Sequence, residues 1–258
     1  MKRILLVAYL LCAATLPGKA QTNIVAHAGF WKCEQGEQTM NSYAAFKAAL
    51  DAGLYGVEMD VNMTKDGVLV VYHDGAAKGR CFNDTKFNDI KDKIVLKNGE
   101  HLPKVEDFLK LAANYPDTKL YIELKFSKSF NLEKKCVDTL LKLLKKYGLY
   151  DPQRVIPISF SANICKYLAQ VAPEFRTQYI TYNSSPRNVR YLGVRGVDYE
   201  YHYILRNPKY FENNPDLDVN VWTVDKDDDI RKLVQLGVPT ITTNNPIRAM
   251  EIVKEENN

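Results

Sequence analysis

Glu58 and Asp60 stand two residues apart in an apolar run, and a strand puts alternate residues on one face. Their backbones are then about 7 Å apart, with both carboxylates pointing the same way. Asp66-Gly67 follows as a hairpin signal, since glycine adopts positive φ at little cost. A second apolar run, Val68 to Tyr72, returns along the first and ends in His73-Asp74. With Asp66 and Gly67 as the two turn residues, His73 falls opposite Asp60. With the turn one residue earlier it falls opposite Glu58. Glu123 and Lys125 repeat the two-residue spacing within KLYIELK. Clustered carboxylates suit one hard divalent cation, Ca2+ or Mg2+, because both prefer oxygen ligands. Without a cation they raise one another's pKa. An imidazole beside them supplies proton transfer, and Lys125 supplies a charge suited to a phosphate oxygen. Polar–apolar alternation is also what any half-buried hairpin shows, and only further polar residues converging on the same face distinguish a site from it.

The elements that must position these residues alternate in type. Asn23 to Ala26 reads as a strand ending in His27-Ala28-Gly29, and Asn41 or Ser42 caps a helix running to Gly53. Further strands are predicted over Lys119–Lys125, Val155–Phe160, Arg176–Thr181, Val197–Tyr203, Val219–Val224 and Thr240–Thr243, with helical segments between them. Eight strand–helix units in about 240 residues predict an α/β protein, a closed (β/α)8 TIM barrel with a parallel sheet inside. The Gly-rich phosphate fingerprint of an open doubly wound sheet is absent. In such a barrel the strand C-termini form the active face. There the sequence places His27, Glu58, Asp60, His73, Glu123, Lys125, Ser159, Ser161, Trp222 and Asn244. Two histidines, three acids and a lysine at one face are the chemistry of phosphoryl transfer. His202 on the sixth strand reads either as lining the pocket with Glu200 or, in preference, as a packed core residue, His101 reads as exposed, and Asp225 to Asp229 as the acidic opening of a helix.

Lys2-Arg3, the uncharged apolar run Ile4 to Leu16, and Pro17 to Ala20 ahead of Gln21 read as a signal peptide over residues 1–20. The protein is then exported, periplasmic or secreted. Leu10-Leu11 before Cys12 is a poor lipidation context. The remaining chain, residues 21–258, is expected to be one domain without a transmembrane segment, with an insertion at about 75–100 where a polar stretch is too long for a tight connection. A net charge of +4, with lysines spread along amphipathic helices, does not argue for nucleic acid. Cys33, Cys81, Cys136 and Cys165 allow three disulfide pairings or none, and their spacing excludes CxxC-type zinc sites. Oligomeric state leaves no sequence signal.

The motifs HAG at His27, EMD at Glu58, TKDG at Thr64, HD at His73 and ELK at Glu123 resemble those of glycerophosphodiester phosphodiesterases, with weaker echoes in LPKVEDFL, ISF, VWTVD and TTNNP. The resemblance covers about residues 24–250. It implies a barrel with a small insertion after the second strand, and hydrolysis of a glycerophosphodiester to glycerol 3-phosphate and an alcohol. It further implies that His27 and His73 are the acid/base pair, in either assignment. Glu58, Asp60 and Glu123 would be the ligands of one divalent cation. Lys125 would hold phosphate, and Trp222 and Phe30 would wall the glycerol end. Two positions depart from the family pattern. Ala28 replaces an arginine that contacts phosphate, and Met40 replaces a glutamate in Thr39-Met40-Asn41. Losing a charged contact typically costs about 1.5–3 kcal/mol, and Lys32, Arg80 and Arg187 are candidates to supply the charge. Two alternatives follow: a phospholipase D-type lipid-cleaving enzyme on the same barrel, with Phe30-Trp31 as an apolar rim, or a phosphate-ligand-binding protein without catalysis.

Overall fold

Short apolar runs alternate with amphipathic helices throughout residues 22–257, the part of the chain described by this computed structural model. The strands are β1 (Asn23–Ala26), β2 (Gly56–Met63), β3 (Leu69–Val71), β4 (Ala76–Ala77), β5 (Arg80–Cys81), β6 (Lys119–Leu124), β7 (Val155–Ser159), β8 (Gln178–Thr181), β9 (Gly196–Glu200), β10 (Asp218–Trp222) and β11 (Thr240–Thr243). The helices are α1 (Tyr43–Asp51), α2 (Phe87–Ile90), α3 (Val105–Ala112), α4 (Phe130–Lys146), α5 (Ala162–Val171), α6 (Pro186–Tyr191), α7 (His202–Leu205), α8 (Tyr210–Asn213), α9 (Asp227–Gln235) and α10 (Pro246–Asn257). Parallel pairing runs β1-β11-β10-β9-β8-β7-β6-β2, and Val25 of β1 opposite Gly56 of β2 closes the ring. This is the expected (β/α)8 barrel.

Alternation along each strand decides which side chains face the barrel interior. On β2, Val57, Met59 and Val61 pack outward with Phe46, Leu109 and Val137 of the surrounding helices, which leaves Glu58 and Asp60 on the inner face. On β6, Leu120, Ile122 and Leu124 join the outer layer, while Tyr121 packs inside with Val25, Ile156, Ile158 and Ile180. Burying each large apolar side chain contributes about 1.5–3 kcal/mol. A one-residue slip would exchange these groups for carboxylates, so the inward set is strongly held. Ser42, Ser129, Ser161 and Ser185 start α1, α4, α5 and α6 by accepting a backbone N–H, and Pro186 occupies the first turn of α6.

Two details differ from the sequence expectations. The β2–β3 hairpin pairs Val61 with Val71, a register between the two anticipated ones. Its loop has three residues, with Thr64 N–H donating to Val68 O at 2.9 Å and Gly67 at φ +86°. The ladder runs to Val71 and Tyr72 N–H still donates to Asp60 O at 3.0 Å, so His73 lies beyond the pairing and opposite neither acid. The sixth barrel strand stops at Glu200: Tyr201 N–H still reaches Trp222 O, but the amides of Ile204 and Leu205 turn back to Tyr201 O and begin α7. His202 is therefore not a core residue. Its side chain is 52% exposed and its Nδ1 lies 2.7 Å from Glu200 Oε1. The four cysteines of the described residues are free thiols, the unpaired alternative that the sequence left open.

Residues 75–100 carry the β4–β5 ribbon and α2, with a small core of Phe82, Ile90 and Ile94 under Val70 and Leu102. Among the described residues no helix is long and apolar enough to cross a membrane. The signal-peptide expectation over residues 1–20 lies outside the described residues.

Candidate active site

His27 follows β1, Glu58 and Asp60 lie on β2, and Glu123 and Lys125 lie on and just after β6. Because β2 stands between β1 and β6, the three strands bring these residues together at the barrel mouth. Asp60 pairs with Glu123 in the ladder, which fixes two of the acids side by side. Ligand oxygens of Glu58, Asp60 and Glu123 all lie within 4.8 Å of one another.

The cluster is densely wired. Lys125 Nζ lies 2.7 Å from Asp60 Oδ1 and 2.7 Å from Glu123 Oε1. Asn41 Nδ2 donates to Asp60 Oδ2 at 2.6 Å, while Asp60 N–H donates back to Asn41 Oδ1 at 3.1 Å. Glu58 Oε2 accepts from Ala28 N–H at 2.7 Å, but Glu58 Oε1 is buried without a partner. A buried carboxylate oxygen left unpaired is costly, and a cation would satisfy it. Three carboxylates and one lysine leave a formal charge of −2, which one divalent cation cancels. The residues present therefore fit such an ion.

Electrostatics follow the same account. Burial, then the charges of Asp60 and Glu123, push Glu58 well above the usual carboxylate range. Burial, only partly offset by Lys125, pushes Glu123 up to about 7. Burial alone would raise Asp60, but Lys125 and Asn41 outweigh it and hold Asp60 below its ordinary value. Burial also opposes the charge on Lys125, yet its two carboxylate partners raise it above the ordinary lysine range. His27 is lowered by burial, with the Asn244 contact opposing.

These groups open on a cavity of about 190 Å3 lined by His27, Glu58, His73, Glu123, Lys125 and Trp222, among others. Seven of the eight expected site residues are brought together: six line the cavity, and Asp60 backs it through Lys125. Phe30 is the exception. Ala28 at φ +51° and Gly29 at φ +83° turn the chain onto α1, where Phe30 N–H bonds Ala45 O and its ring packs against the core outside the barrel. Gly29 is required there, because a Cβ would stand 2.8 Å from the Ala45 carbonyl carbon. Phe160 instead supplies the second aromatic wall, its ring 5.4 Å from Trp222.

Ser159 and Ser161 serve the scaffold: Ser159 Oγ donates to Leu124 O at 2.6 Å, and Ser161 caps α5 while donating to Glu133. Lys32, Arg80 and Arg187 do not line the cavity. In the sequence Asn41 stands as a helix cap and as the one residue of Thr39-Met40-Asn41 that keeps the family pattern, and Asp225 as part of a helix start at the end of VWTVD. Asn41 in fact clamps Asp60, and α9 begins at Asp227, which leaves Asp225 free to bond Asn244. Asp198, buried on β9 with Oδ1 unpartnered, also lines the cavity. The Thr39-Met40-Asn41 segment was the signal for Asn41. The inward parity of β9 was the signal for Asp198.

Comparison with known proteins agrees with this geometry. The model of the glycerophosphoryl diester phosphodiesterase family matches residues 32–248. A glycerophosphodiester phosphodiesterase of Caldanaerobacter subterraneus is 27% identical over 255 residues, spanning 91% of this chain and 99% of that protein. The crystal structure of a glycerophosphodiester phosphodiesterase from Parabacteroides distasonis is 31% identical, with a TM-score of 0.87 over 93% of this chain and all of the other (100%). A phosphodiesterase from Oleispira antarctica, solved with the product sn-glycerol-3-phosphate, shares the fold at 18% identity and a TM-score of 0.75, covering 91% of this chain and 97% of that one.

Proposed function

Since the chain belongs to the glycerophosphoryl diester phosphodiesterase family and is a phosphoric diester hydrolase, we propose that it splits glycerophosphodiesters into glycerol 3-phosphate and an alcohol with one divalent cation, Ca2+ or Mg2+, held by Glu58, Asp60 and Glu123. The observation that carries this reading is the buried, unpartnered Glu58 Oε1 within a three-acid cluster at a cavity flanked by two histidines. The product bound by the Oleispira antarctica protein supports the same choice of product. When bound, the cation supplies charge neutralisation at the phosphoryl oxygens. Lys125 adds a fixed positive charge there, already positioned by Asp60 and Glu123.

His27 is the base. Its Nδ1 is engaged by Asn244 Oδ1 at 2.9 Å, and burial favours its neutral form. It takes the proton of the nucleophile, water or the substrate's neighbouring glycerol hydroxyl, as oxygen bonds to phosphorus. His73, with Nδ1 2.8 Å from Asp74 Oδ1, is the acid that protonates the departing alcohol oxygen. The bond from phosphorus to that oxygen breaks. After water has been added overall, glycerol 3-phosphate and the alcohol remain. Trp222 and Phe160 wall the apolar side of the pocket.

A second reading, cleavage of a lysophospholipid, is favoured by one observation. Tyr182 is 61% exposed and packs on Phe160 and Trp222, while Phe126, next to Lys125, is 63% exposed. With Phe160 and Trp222 in the cavity wall, the exposed Tyr182 ring extends an apolar surface suited to an acyl chain. The test is glycerol 3-phosphate release from water-soluble glycerophosphodiesters, alongside head-group release from lysophospholipids, each with and without a chelator. We expect release from the soluble diesters that stops on chelation and falls at least about 100-fold in His27→Ala and His73→Ala. Undiminished turnover in either variant would sink the acid/base pair. Binding of phosphate without turnover of any diester would leave only a binding protein. We also read residues 1–20 as an export signal, from the basic start and uncharged apolar run. Recovery of the intact, uncleaved chain in the cytoplasmic fraction would refute that.

A further inference from the structure

Asp225 follows β10, Asn244 follows β11 and His27 follows β1, three consecutive strands of the ring. The Asp225 carboxylate receives Asn244 Nδ2 on Oδ2 at 2.7 Å, and Asn244 N–H and Thr243 Oγ1 on Oδ1 at 2.8 and 3.1 Å. Burial works against this charge, but the donors from Asn244 and Thr243 outweigh it and keep Asp225 below its ordinary value. An ionised carboxylate only accepts hydrogen bonds. The Asn244 amide therefore has one orientation: NH2 toward Asp225, Oδ1 away from it. Oδ1 then meets Trp31 Nε1 at 3.0 Å, and an indole nitrogen only donates. The same oxygen lies 2.9 Å from His27 Nδ1. An acceptor oxygen there requires a proton on Nδ1, which leaves the lone pair on Nε2.

From this sequence of fixed roles we infer that Asp225 and Asn244 are positioning residues that hold His27 in the tautomer whose Nε2 accepts the proton during hydrolysis. Neither residue lines the cavity, and His27, which does, is their link to it. The catalytic consequence rests on the proposed role of His27 as base. The tautomer does not, and it can be read without substrate.

The test uses the full-length protein, Asp225→Asn, and the exchanged pair Asp225→Asn/Asn244→Asp. In Asp225→Asn two amides face each other, so Asn244 is free to turn its NH2 toward His27 and favour the opposite tautomer. In the exchanged pair, a carboxylate at 244 accepts from Trp31, from His27 Nδ1–H and from the new amide at 225. Imidazole 15N shifts should show Nδ1–H in the wild type, a mixture in Asp225→Asn, and Nδ1–H again in the exchanged pair. kcat for a soluble glycerophosphodiester should fall about 10- to 100-fold in Asp225→Asn with KM within about twofold, and return to within about threefold in the exchanged pair. A merely structural role would lower the melting temperature of both variants and give no rescue by the exchange. An Nε2–H tautomer in the wild type, or an unchanged tautomer in Asp225→Asn, overturns the inference. If the shifts behave as stated but no diester is turned over, the positioning stands and the proposed function fails.

Discussion

Replacing Glu123 by glutamine should make the cation-free protein more stable at alkaline pH while abolishing its activity. Glu123 is raised from 4.5 to about 7, first by burial. A carboxyl raised in the folded state binds its proton more tightly folded than unfolded. It adds stability below about pH 4.5, and that stability is lost as pH rises to about 7. At about 1.4 kcal/mol per pH unit the loss is about 3 kcal/mol. Glutamine keeps the shape and never ionises, and Lys125 retains Asp60 at 2.7 Å. In chelator at pH 8, Glu123→Gln should therefore exceed the wild type by about 2–3 kcal/mol, or about 5–10 °C in melting temperature for a domain of this size. The gap should close at pH 5. Saturating Ca2+ or Mg2+ should reverse the order, since a ligand at about 1,000 times its Kd adds about 4.1 kcal/mol to the wild type and little to a variant short of one ligand. Thermal unfolding at the two pH values, with chelator and with each ion, measures all of this. A variant less stable than the wild type at pH 8 in chelator would show that the acid cluster is not strained and that a cation has no charge repulsion to relieve there.

Asn41→Ala removes both hydrogen bonds to Asp60 and should cost about 2 kcal/mol in urea unfolding. Divalent-cation affinity, followed by calorimetry, should weaken about 10- to 100-fold. Because burial holds His27 below 6.5, the acid limb of kcat/KM should fall away below that pH, as protonation removes the base. An acid limb centred above 6.5 would contradict the assignment.

The alternation of strand and helix, and with it the barrel, was legible in the chain because each strand is short, apolar and bounded by turn residues. The parity of Glu58, Asp60, Glu123 and Lys125 was equally legible, since the two-residue period is local and survives any tertiary arrangement. His73 was recognisable by its motif but misplaced in register, because a three-residue loop with Gly67 in the left-handed region replaces a two-residue turn. Tyr201 to Tyr203 read as strand because aromatic residues favour one. Packing of α7 against the barrel overrode that preference.

Local periodicity thus determined which residues point into the barrel and what chemistry they bring. Only the tertiary structure decided how they are held. The clamp of Asn41 on Asp60, the unpaired oxygen of Glu58, the departure of Phe30 to the outer core and the line from Asp225 through Asn244 to His27 all join residues far apart in sequence. Such contacts depend on the order in which strands close the ring and on side-chain hydrogen bonds that cross between neighbours. Neither is encoded in a local repeat. The same two carboxylates on β2 would lie on an ordinary strand face if β1 and β6 did not flank them with an imidazole and a lysine.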